Sequence, residues 1–167
     1  PEHYGNTITP YGFSRTLSDN CPSNAVSIPD CGGNMAWMYQ AFEVKEGQRL
    51  FTAMGNSPMG YSFPAAIGAS FATDRPVICT IGDGGMQINI QELQTVKNHN
   101  LPIKVFVFSN QGYGLIRQFQ DLYLDGRHVD TEEGVPDFAH IARAYGIKGM
   151  TIDGPKRMAT DIRFALN

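Results

Sequence analysis

The chain has 167 residues, of which 42% are apolar and 17% are charged, and it carries a formal net charge of −3. This apolar content suffices for one hydrophobic core, and the weak negative charge without a Lys/Arg-rich run argues against nucleic acid as a partner. No apolar run approaches the roughly 20 residues needed to cross a bilayer, and the amino end lacks the features of a signal peptide, so no membrane partner is expected.

The chain contains three cysteines, Cys21, Cys31 and Cys79, which show no C-x-x-C spacing. An odd number of cysteines without that spacing favours neither a disulfide framework nor a zinc site. The cysteine usage therefore predicts a protein of the reducing cytoplasm.

Short apolar runs alternate with helix-like segments along the chain. This order is typical of a parallel sheet covered by helices on both faces. We therefore predict an α/β fold, a three-layer α/β/α sandwich with a mainly parallel sheet, which forms a single domain over residues 1–167. The predicted strands span residues 25–28, 49–52, 77–81, 103–108 and 150–153. The run at 77–81 is apolar without alternation, which predicts that this strand is central.

Capping residues and prolines indicate where helices begin. The predicted helices start at Pro10 after the N-cap Thr9, over residues 35–42, at Pro64, at Phe138 after Asp137, and at Pro155. Asn89 and Glu92 have the spacing of a capping box, in which Glu92 reaches back to the Asn89 amide at the start of another helix. Residues 126–134 are charged and lack periodicity, which predicts a mobile surface loop.

The segment Gly82-Asp83-Gly84-Gly85 follows the predicted central strand, and Asn110 follows the next strand along the chain. A carboxylate among glycine amides would repel the phosphate that those amides attract, and a divalent cation between them removes the conflict. Because the carboxyl ends of parallel strands meet at one edge of a sheet, Asp83 and Asn110 should lie together. The residues predict a site for Mg²⁺ and a diphosphate, with the Gly84 and Gly85 amides near the phosphate oxygens.

Loops that contain glycine end four of the predicted strands, at residues 31–34, 55–60, 82–85 and 110–114, and they should line one crevice. The common nucleotide motifs G-x-x-x-x-G-K-[ST] and G-x-G-x-x-G are missing, as is the G-x-S-x-G nucleophile turn. These absences make a phosphate loop, a dinucleotide site and hydrolytic chemistry poor interpretations.

The Gly-Asp-Gly loop and the asparagine loop one βαβ unit later resemble the cofactor-binding motif of thiamine diphosphate enzymes. The segment 59–69, Met-Gly-Tyr-Ser-Phe-Pro-Ala-Ala-Ile-Gly-Ala, and Gln91-Glu92-Leu93 resemble the acetohydroxyacid (acetolactate) synthase-like branch of that family. The resemblance covers nearly the whole chain and corresponds to the C-terminal pyrophosphate-binding domain of that branch.

The resemblance implies that Mg²⁺ is held by the side chains of Asp83 and Asn110 and by the carbonyl of Gly112. It implies further that Met59 bends the cofactor into a V shape, while the carbonyl of Ser57 accepts a hydrogen bond from the cofactor's amino group. The cofactor-binding residues implied in this way are Cys31, Gly32, Gly33, Asn34, Ser57, Met59, Gly82, Gly84, Gly85, Asn110, Gly112, Tyr113, Gly114 and Leu115.

The activity implied by the resemblance is decarboxylation of a 2-oxo acid and transfer of the remaining fragment to an acceptor, with thiamine diphosphate and Mg²⁺ as cofactors. The family's activating glutamate lies in a pyrimidine-binding domain of another subunit and has no counterpart here. We therefore expect no catalytic residue in this chain, which alone should be inactive. We expect it to be a fragment of a longer enzyme that forms a homodimer or homotetramer, with FAD as a further candidate cofactor of the full-length protein.

Two positions depart from the family's pattern. Ser109 stands where the family often has a first asparagine, which matters little if Asn110 is the ligand. Phe119 stands where biosynthetic acetohydroxyacid synthases place a tryptophan that shapes the acceptor pocket, and this leaves the second substrate open.

Three other functions stay open at this point. The chain could serve a thiamine diphosphate-dependent 2-oxo acid decarboxylase, or it could be a noncatalytic domain that mediates assembly. It could also be a Mg²⁺-dependent phospho-acceptor domain, because Asp30 and Asp83 both follow predicted strands.

Overall fold

The computed structural model describes residues 7–132 and 134–167, in which helices and parallel strands alternate. The strands are β1 (Val26–Pro29), β2 (Arg49–Leu50), β3 (Val77–Gly82) and β4 (Ile103–Phe108). The helices are α1 (Pro10–Asn20), α2 (Gly32–Ala41), α3 (Ser62–Ala72), α4 (Asp83–Ile88), α5 (Leu93–His99), α6 (Gly114–Tyr123), α7 (Phe138–Ala144) and α8 (Pro155–Leu166). A single 3₁₀ turn at Ile90–Glu92 joins α4 to α5.

Among the described residues, the strands form a four-stranded parallel sheet in the order β2-β1-β3-β4. Val77 pairs with Val26 on one side and with Ile103 on the other, so β3 lies inside the sheet. Its side chains alternate between two hydrophobic clusters, with Val77 and Cys79 in one and Ile78 in the other. The predicted interior position of this strand is confirmed.

The two hydrophobic clusters lie on opposite faces of the sheet and give the molecule three layers. Side chains of α3 and α5 pack on one face, where Phe63 and Leu93 are buried against β3. Side chains of α1, α2 and α8 pack on the other face, where Leu17, Met38 and Ile162 are fully buried. The predicted three-layer α/β fold is confirmed. No helix in the described parts of the chain is both long and apolar enough to span a bilayer.

Two helix starts follow from local capping as predicted. The Thr9 side chain accepts the Gly12 N–H at the start of α1, and the Asp137 side chain accepts the His140 N–H at the start of α7. These bonds satisfy backbone donors that the first turn of a helix leaves without a partner. Helix α1 ends at Asn20.

The predicted capping box is wrong. The helical segment starts earlier, at Asp83, and Asn89 makes no side-chain cap bond. The Asn89 amide instead donates to the carbonyl of Gly60 at 2.8 Å, and the Glu92 carboxylate accepts the Thr95 hydroxyl at 2.7 Å. The Asn89 side chain therefore binds a distant carbonyl instead of capping the helix, as the local pattern predicted.

One predicted strand does not form, one helix starts earlier than predicted, and one helix was not predicted. Residues 150–153 form no strand, because no described neighbour supplies the ladder of hydrogen bonds that a strand requires. Helix α3 begins at Ser62 rather than at Pro64, which therefore lies within the first turn, where proline is tolerated. Helix α6 was missed between the Asn110 loop and the charged segment, although Leu115, Phe119 and Leu122 have helical spacing.

Candidate functional site

The glycine-bearing loops predicted to line one crevice lie together at the carboxyl edge of the sheet. The Asp30 carboxylate after β1 accepts the Gly60 N–H at 3.0 Å, and the Asp83 carboxylate after β3 accepts the Asn110 N–H at 2.9 Å. The loop 31–34 also lies close to the start of α6, where the Leu115 side chain is 3.8 Å from the position that a Cβ on Gly32 would take. The structure therefore brings the predicted site segments into one region.

Asp83 joins two of these loops through backbone hydrogen bonds. Its Oδ1 accepts the Gly84 N–H at 2.8 Å, and its Oδ2 accepts the N–H groups of Asn110 and Gln111 at 2.9 and 2.7 Å. The residue is only 2% exposed, and no ion pair between described residues includes it. A buried carboxylate that has amide partners but no cation beside it is suited to receive a metal ion.

The other two candidate ligands lie in the loop that Asp83 holds. Asn110 is exposed, and its Nδ2 lies 3.1 Å from the position that a Cβ on Gly114 would take. The Gly112 carbonyl accepts the Gly114 N–H at 3.1 Å. An open depression of about 450 Å³ borders Asn110 and is lined further by Gln111, Arg117, Glu132 and Gly134. The loop is thus accessible from solvent.

The donor set fits magnesium and a diphosphate. No group of three or more His, Cys, Asp or Glu side chains within 7–132 and 134–167 could hold a metal ion. A metal beside Asp83 would therefore need amide, carbonyl and ligand oxygens, and Mg²⁺ is commonly bound by one or two carboxylates together with phosphates of a ligand. Zinc, which prefers Cys and His ligands, would not fit here.

A narrow cradle faces the first turn of α4. A Cβ on Gly84 would lie 2.5 Å from the Tyr113 ring and 3.4 Å from Cε of Met59. Only glycine fits here, because the Tyr113 ring and the end of the Met59 side chain lie against the Gly84 backbone. Met59, the predicted wedge, is 37% exposed at the rim of this cradle, and Ser57 in the same loop has a φ of +43°.

In the loop 31–34, the Asn34 side chain forms hydrogen bonds within the fold. Asn34 donates its Nδ2 to the Thr80 carbonyl at 2.6 Å and accepts the Thr80 hydroxyl on Oδ1 at 3.0 Å. Both polar groups of its side chain are therefore paired with Thr80 of β3. Cys31 is the N-cap residue of α2, where burial and the Asp30 charge raise the pKa of its thiol to about 11.

The remaining predicted residues lie at element ends around the same crevice. Gly82 is the last residue of β3, and Gly85 lies in the first turn of α4, where a Cβ would contact the Asp30 carboxylate at 2.5 Å. Gly114 and Leu115 open α6, and the Leu115 side chain is 53% exposed.

The family model described as "Thiamine pyrophosphate enzyme, C-terminal TPP binding domain" matches residues 30–167. The chain belongs to this family. The matched range includes every candidate cofactor and metal residue, from Cys31 to Leu115. The predicted family resemblance is confirmed.

Similar proteins place this thiamine pyrophosphate enzyme domain in the acetolactate synthase-like branch. The acetolactate synthase large subunit of Lactococcus lactis subsp. lactis (strain IL1403) is 33% identical over 97% of the chain and 28% of the relative. The acetolactate synthase isozyme 2 large subunit of Escherichia coli (strain K12) is 34% identical over 99% of the chain and 31% of the relative. The acetolactate synthase large subunit of Cyanidium caldarium is 38% identical over 80% of the chain and 23% of the relative. The chain spans 23–31% of the length of these relatives.

Two contributions to this thiamine pyrophosphate domain escaped the sequence analysis. One is Asp30, for which the sequence indicates only a phospho-acceptor role, whereas its two carboxylate oxygens accept the N–H groups of Gly60 and Ser62. Since Asp30 is thus engaged in the fold, the geometry gives no support to a phospho-acceptor pair. The second is Gln120, a buried glutamine in the helix that was missed. A glutamine on the apolar stripe of a predicted helix would have been its only signal.

Proposed function

We propose that the chain holds the Mg²⁺–diphosphate end of thiamine diphosphate in an acetolactate synthase-like enzyme that decarboxylates 2-oxo acids and joins the product to an acceptor. The observation that carries this proposal is the buried Asp83 carboxylate, which binds the backbone of the Asn110 loop and forms no ion pair with any side chain of residues 7–132 and 134–167. The family membership and the names of the relatives support the choice of cofactor.

In this proposal the metal ion is bound by Asp83, by the side-chain oxygen of Asn110 and by the carbonyl of Gly112. Diphosphate oxygens and water would supply the other oxygen ligands that Mg²⁺ favours. The backbone amides of Gly84 and Gly85, in the first turn of α4, bind the diphosphate oxygens. The Gly84 N–H, which donates to Asp83 Oδ1, would take a phosphate oxygen as its acceptor in place of that carboxylate.

The residues at the other side of the crevice orient the reacting part of the cofactor. Thiamine diphosphate, when bound, supplies the nucleophilic carbon and the electron sink for decarboxylation. Met59 supports the bent cofactor from below, Ser57 offers its carbonyl to the amino group, and Leu115 packs on the thiazolium side. The exposed positions of Met59 and Leu115, at 37% and 53%, leave both side chains available for such contacts.

A second protein surface is needed to complete the site. We propose that a pyrimidine-binding domain of another subunit supplies the activating glutamate, in a homodimer or homotetramer. Side chains of α6 support this, because Leu115, Ile116 and Phe119 are 53%, 52% and 54% exposed beside the crevice. An apolar helix face of this size is unusual on a surface that stays in water.

The test is calorimetric titration of thiamine diphosphate in the presence of Mg²⁺, on the protein expressed together with its pyrimidine-binding domain. Asp83→Asn should weaken binding by at least about ten-fold, since a metal site loses that much even when only an outer partner is removed. The matched control is Asp74→Asn, because Asp74 is an exposed aspartate just before β3, at the opposite end of the strand. Affinity of Asp83→Asn equal to that of the control would overturn the proposal.

Pyruvate consumption by the same protein separates catalysis from assembly. Tight cofactor binding with measurable pyruvate consumption is the result expected of an acetolactate synthase-like enzyme. Tight binding without turnover of pyruvate or other 2-oxo acids would instead indicate the noncatalytic assembly role.

A further inference from the structure

The loop that carries Asn110 and Gly112 is held from two sides. On its inner side lies the Asp83 carboxylate described above. On its outer side lies the segment 127–132, the return segment, which runs back beside α6. Gly112 forms an isolated antiparallel bridge with Glu132, and the Tyr113 N–H donates to the Thr131 carbonyl at 3.0 Å. The outer support is therefore backbone against backbone.

The contact between this loop and the return segment is tight. A Cβ on Gly112 would overlap the carbonyl oxygen of Thr131, and Thr131 itself is only 4% exposed. Close packing of this kind transmits displacement, because neither backbone has room to move alone. A shift of the return segment would therefore move the Gly112 carbonyl.

One buried side chain fixes the return segment to α6. Gln120 is 9% exposed, and its Nε2 donates to the Val129 carbonyl at 3.1 Å while its Oε1 accepts the Val129 N–H at 3.0 Å. The side-chain amide thus pairs with both backbone groups of Val129, as a neighbouring strand would. Val129 lies two residues before Thr131, a separation of about 7 Å in extended backbone.

The other side-chain links to the return segment are exposed. Arg117 pairs with Glu132 at 2.7 Å, with side chains 46% and 77% exposed, and His128 pairs with Asp121. Exposed ion pairs contribute little free energy, so the buried Gln120 amide is the main side-chain anchor of this segment.

We propose that Gln120 is a positioning residue for the candidate Mg²⁺ loop, acting through Val129 and Thr131 on the Gly112 carbonyl and on Asn110. The inference rests on the proposed function, because it takes that loop to be the metal site. Gln120 itself does not touch the metal or the cofactor. Outer partners that orient metal ligands typically change metal affinity by about ten- to hundred-fold when they are removed.

The experiment titrates Mg²⁺ at saturating thiamine diphosphate on the protein expressed with its pyrimidine-binding domain, for four variants. Gln120→Leu removes both bonds to Val129 and should raise the Mg²⁺ concentration at half saturation by about ten-fold. Gln120→Glu keeps an acceptor for the Val129 N–H but places a carboxylate oxygen against the Val129 carbonyl, so it should raise this concentration as well. Gln118→Leu makes the same change at an exposed glutamine of the same helix and should bind Mg²⁺ as the unaltered protein does. Asp83→Asn tests the metal site itself.

Hydrogen exchange gives a second readout, and its measurement on the unaltered protein requires no variant to fold. The amides of Val129 and Tyr113 should be protected in the unaltered protein, and in Gln120→Glu both should exchange faster. Normal Mg²⁺ affinity of both Gln120 variants, with Asp83→Asn impaired, would overturn the positioning role and leave the proposed function standing. Normal affinity of Asp83→Asn would overturn both. Rapid exchange of both amides in the unaltered protein would contradict the positioning role even if Gln120→Leu fails to fold.

Discussion

The carboxylate of Asp30 accepts a hydrogen bond from the backbone N–H of Ser62 at 2.9 Å, and this bond ties the end of β1 to the first residue of α3. The other carboxylate oxygen accepts the Gly60 N–H at 3.0 Å. Asp30 is 1% exposed, so these two donors have no water to turn to if the carboxylate is removed. The loop 55–60, with the candidate wedge Met59, is thus anchored to the sheet by one side chain.

We predict that Asp30→Ala lowers the free energy of unfolding by about 2–4 kcal/mol, because two buried N–H groups lose their acceptor. Urea unfolding measures this loss. In Asp30→Asn, one acceptor remains and the loss should be smaller.

Since the Asp30 charge helps to raise the pKa of Cys31, Asp30→Asn should also speed alkylation of Cys31 at pH 8. Unchanged stability of Asp30→Ala would contradict the anchoring role. Unchanged alkylation of Cys31 in Asp30→Asn would contradict the effect of the Asp30 charge.

Two glycine-to-alanine changes should have opposite consequences. A Cβ on Gly84 would lie 2.5 Å from the Tyr113 ring, so Gly84→Ala should displace Tyr113, narrow the cradle and weaken thiamine diphosphate binding by about ten-fold or more. Gly68 is the matched control, because it lies within α3 with nothing within 4 Å of its Cβ position. Gly68→Ala should stabilise the protein by about 0.5–1 kcal/mol, since alanine loses less backbone entropy in a helix.

Calorimetry of cofactor binding and thermal unfolding of both variants check these expectations. Equal cofactor affinity for Gly84→Ala and Gly68→Ala would show that the cradle at Tyr113 is not the binding surface. A loss of stability in Gly68→Ala would show that α3 is more crowded than its open surface indicates.

Cys79 should make the protein less stable in alkali. Burial raises the pKa of its thiol from 9.0 to about 12, so the folded state holds this proton more tightly than the unfolded chain does. The stabilisation is complete below pH 9 and is lost as the pH rises toward 12, with a slope of up to about 1.4 kcal/mol per pH unit. In Cys79→Ala this part of the decline should disappear.

Urea unfolding at pH 8, 9, 10 and 11, on the unaltered protein and on Cys79→Ala, measures the difference directly. Subtracting the free energies of unfolding of the two proteins removes the titration of the other two thiols, Cys21 and Cys31, whose pKa values are also raised. The two stabilities should converge as the pH rises. A constant difference across this range would contradict the buried-thiol account.

Much of the fold follows from local features of the sequence. Apart from Thr80, the run at 77–81 is apolar on both faces of the pleat, which is a pattern that only an interior strand can bury, and the structure places it inside the sheet. Thr9 and Asp137 cap their helices because their side chains can reach a backbone N–H three residues ahead. These interactions depend on neighbours in sequence and were therefore predictable.

Other side chains form hydrogen bonds with residues that are distant in sequence, and local patterns do not predict these bonds. Asn89 donates to Gly60, 29 residues away, and Asn34 pairs with Thr80, 46 residues away. The capping box failed for the first reason, and the Asn34 side chain joins α2 to β3 for the second. No spacing within a helix announces such partners.

The candidate site shows both cases side by side. The residue types and their place after parallel strands predicted that Asp83 and Asn110 would share one edge, and this depends only on the order of strands along the chain. The register that lets the Asp83 carboxylate accept the Asn110 and Gln111 amides, and the return segment that Gln120 holds against Gly112, depend on how separate segments pack. Sequence periodicity determined the elements of this protein because side-chain burial repeats locally. Only the tertiary structure decided the hydrogen bonds between loops, since each of them joins groups that meet after the sheet has formed.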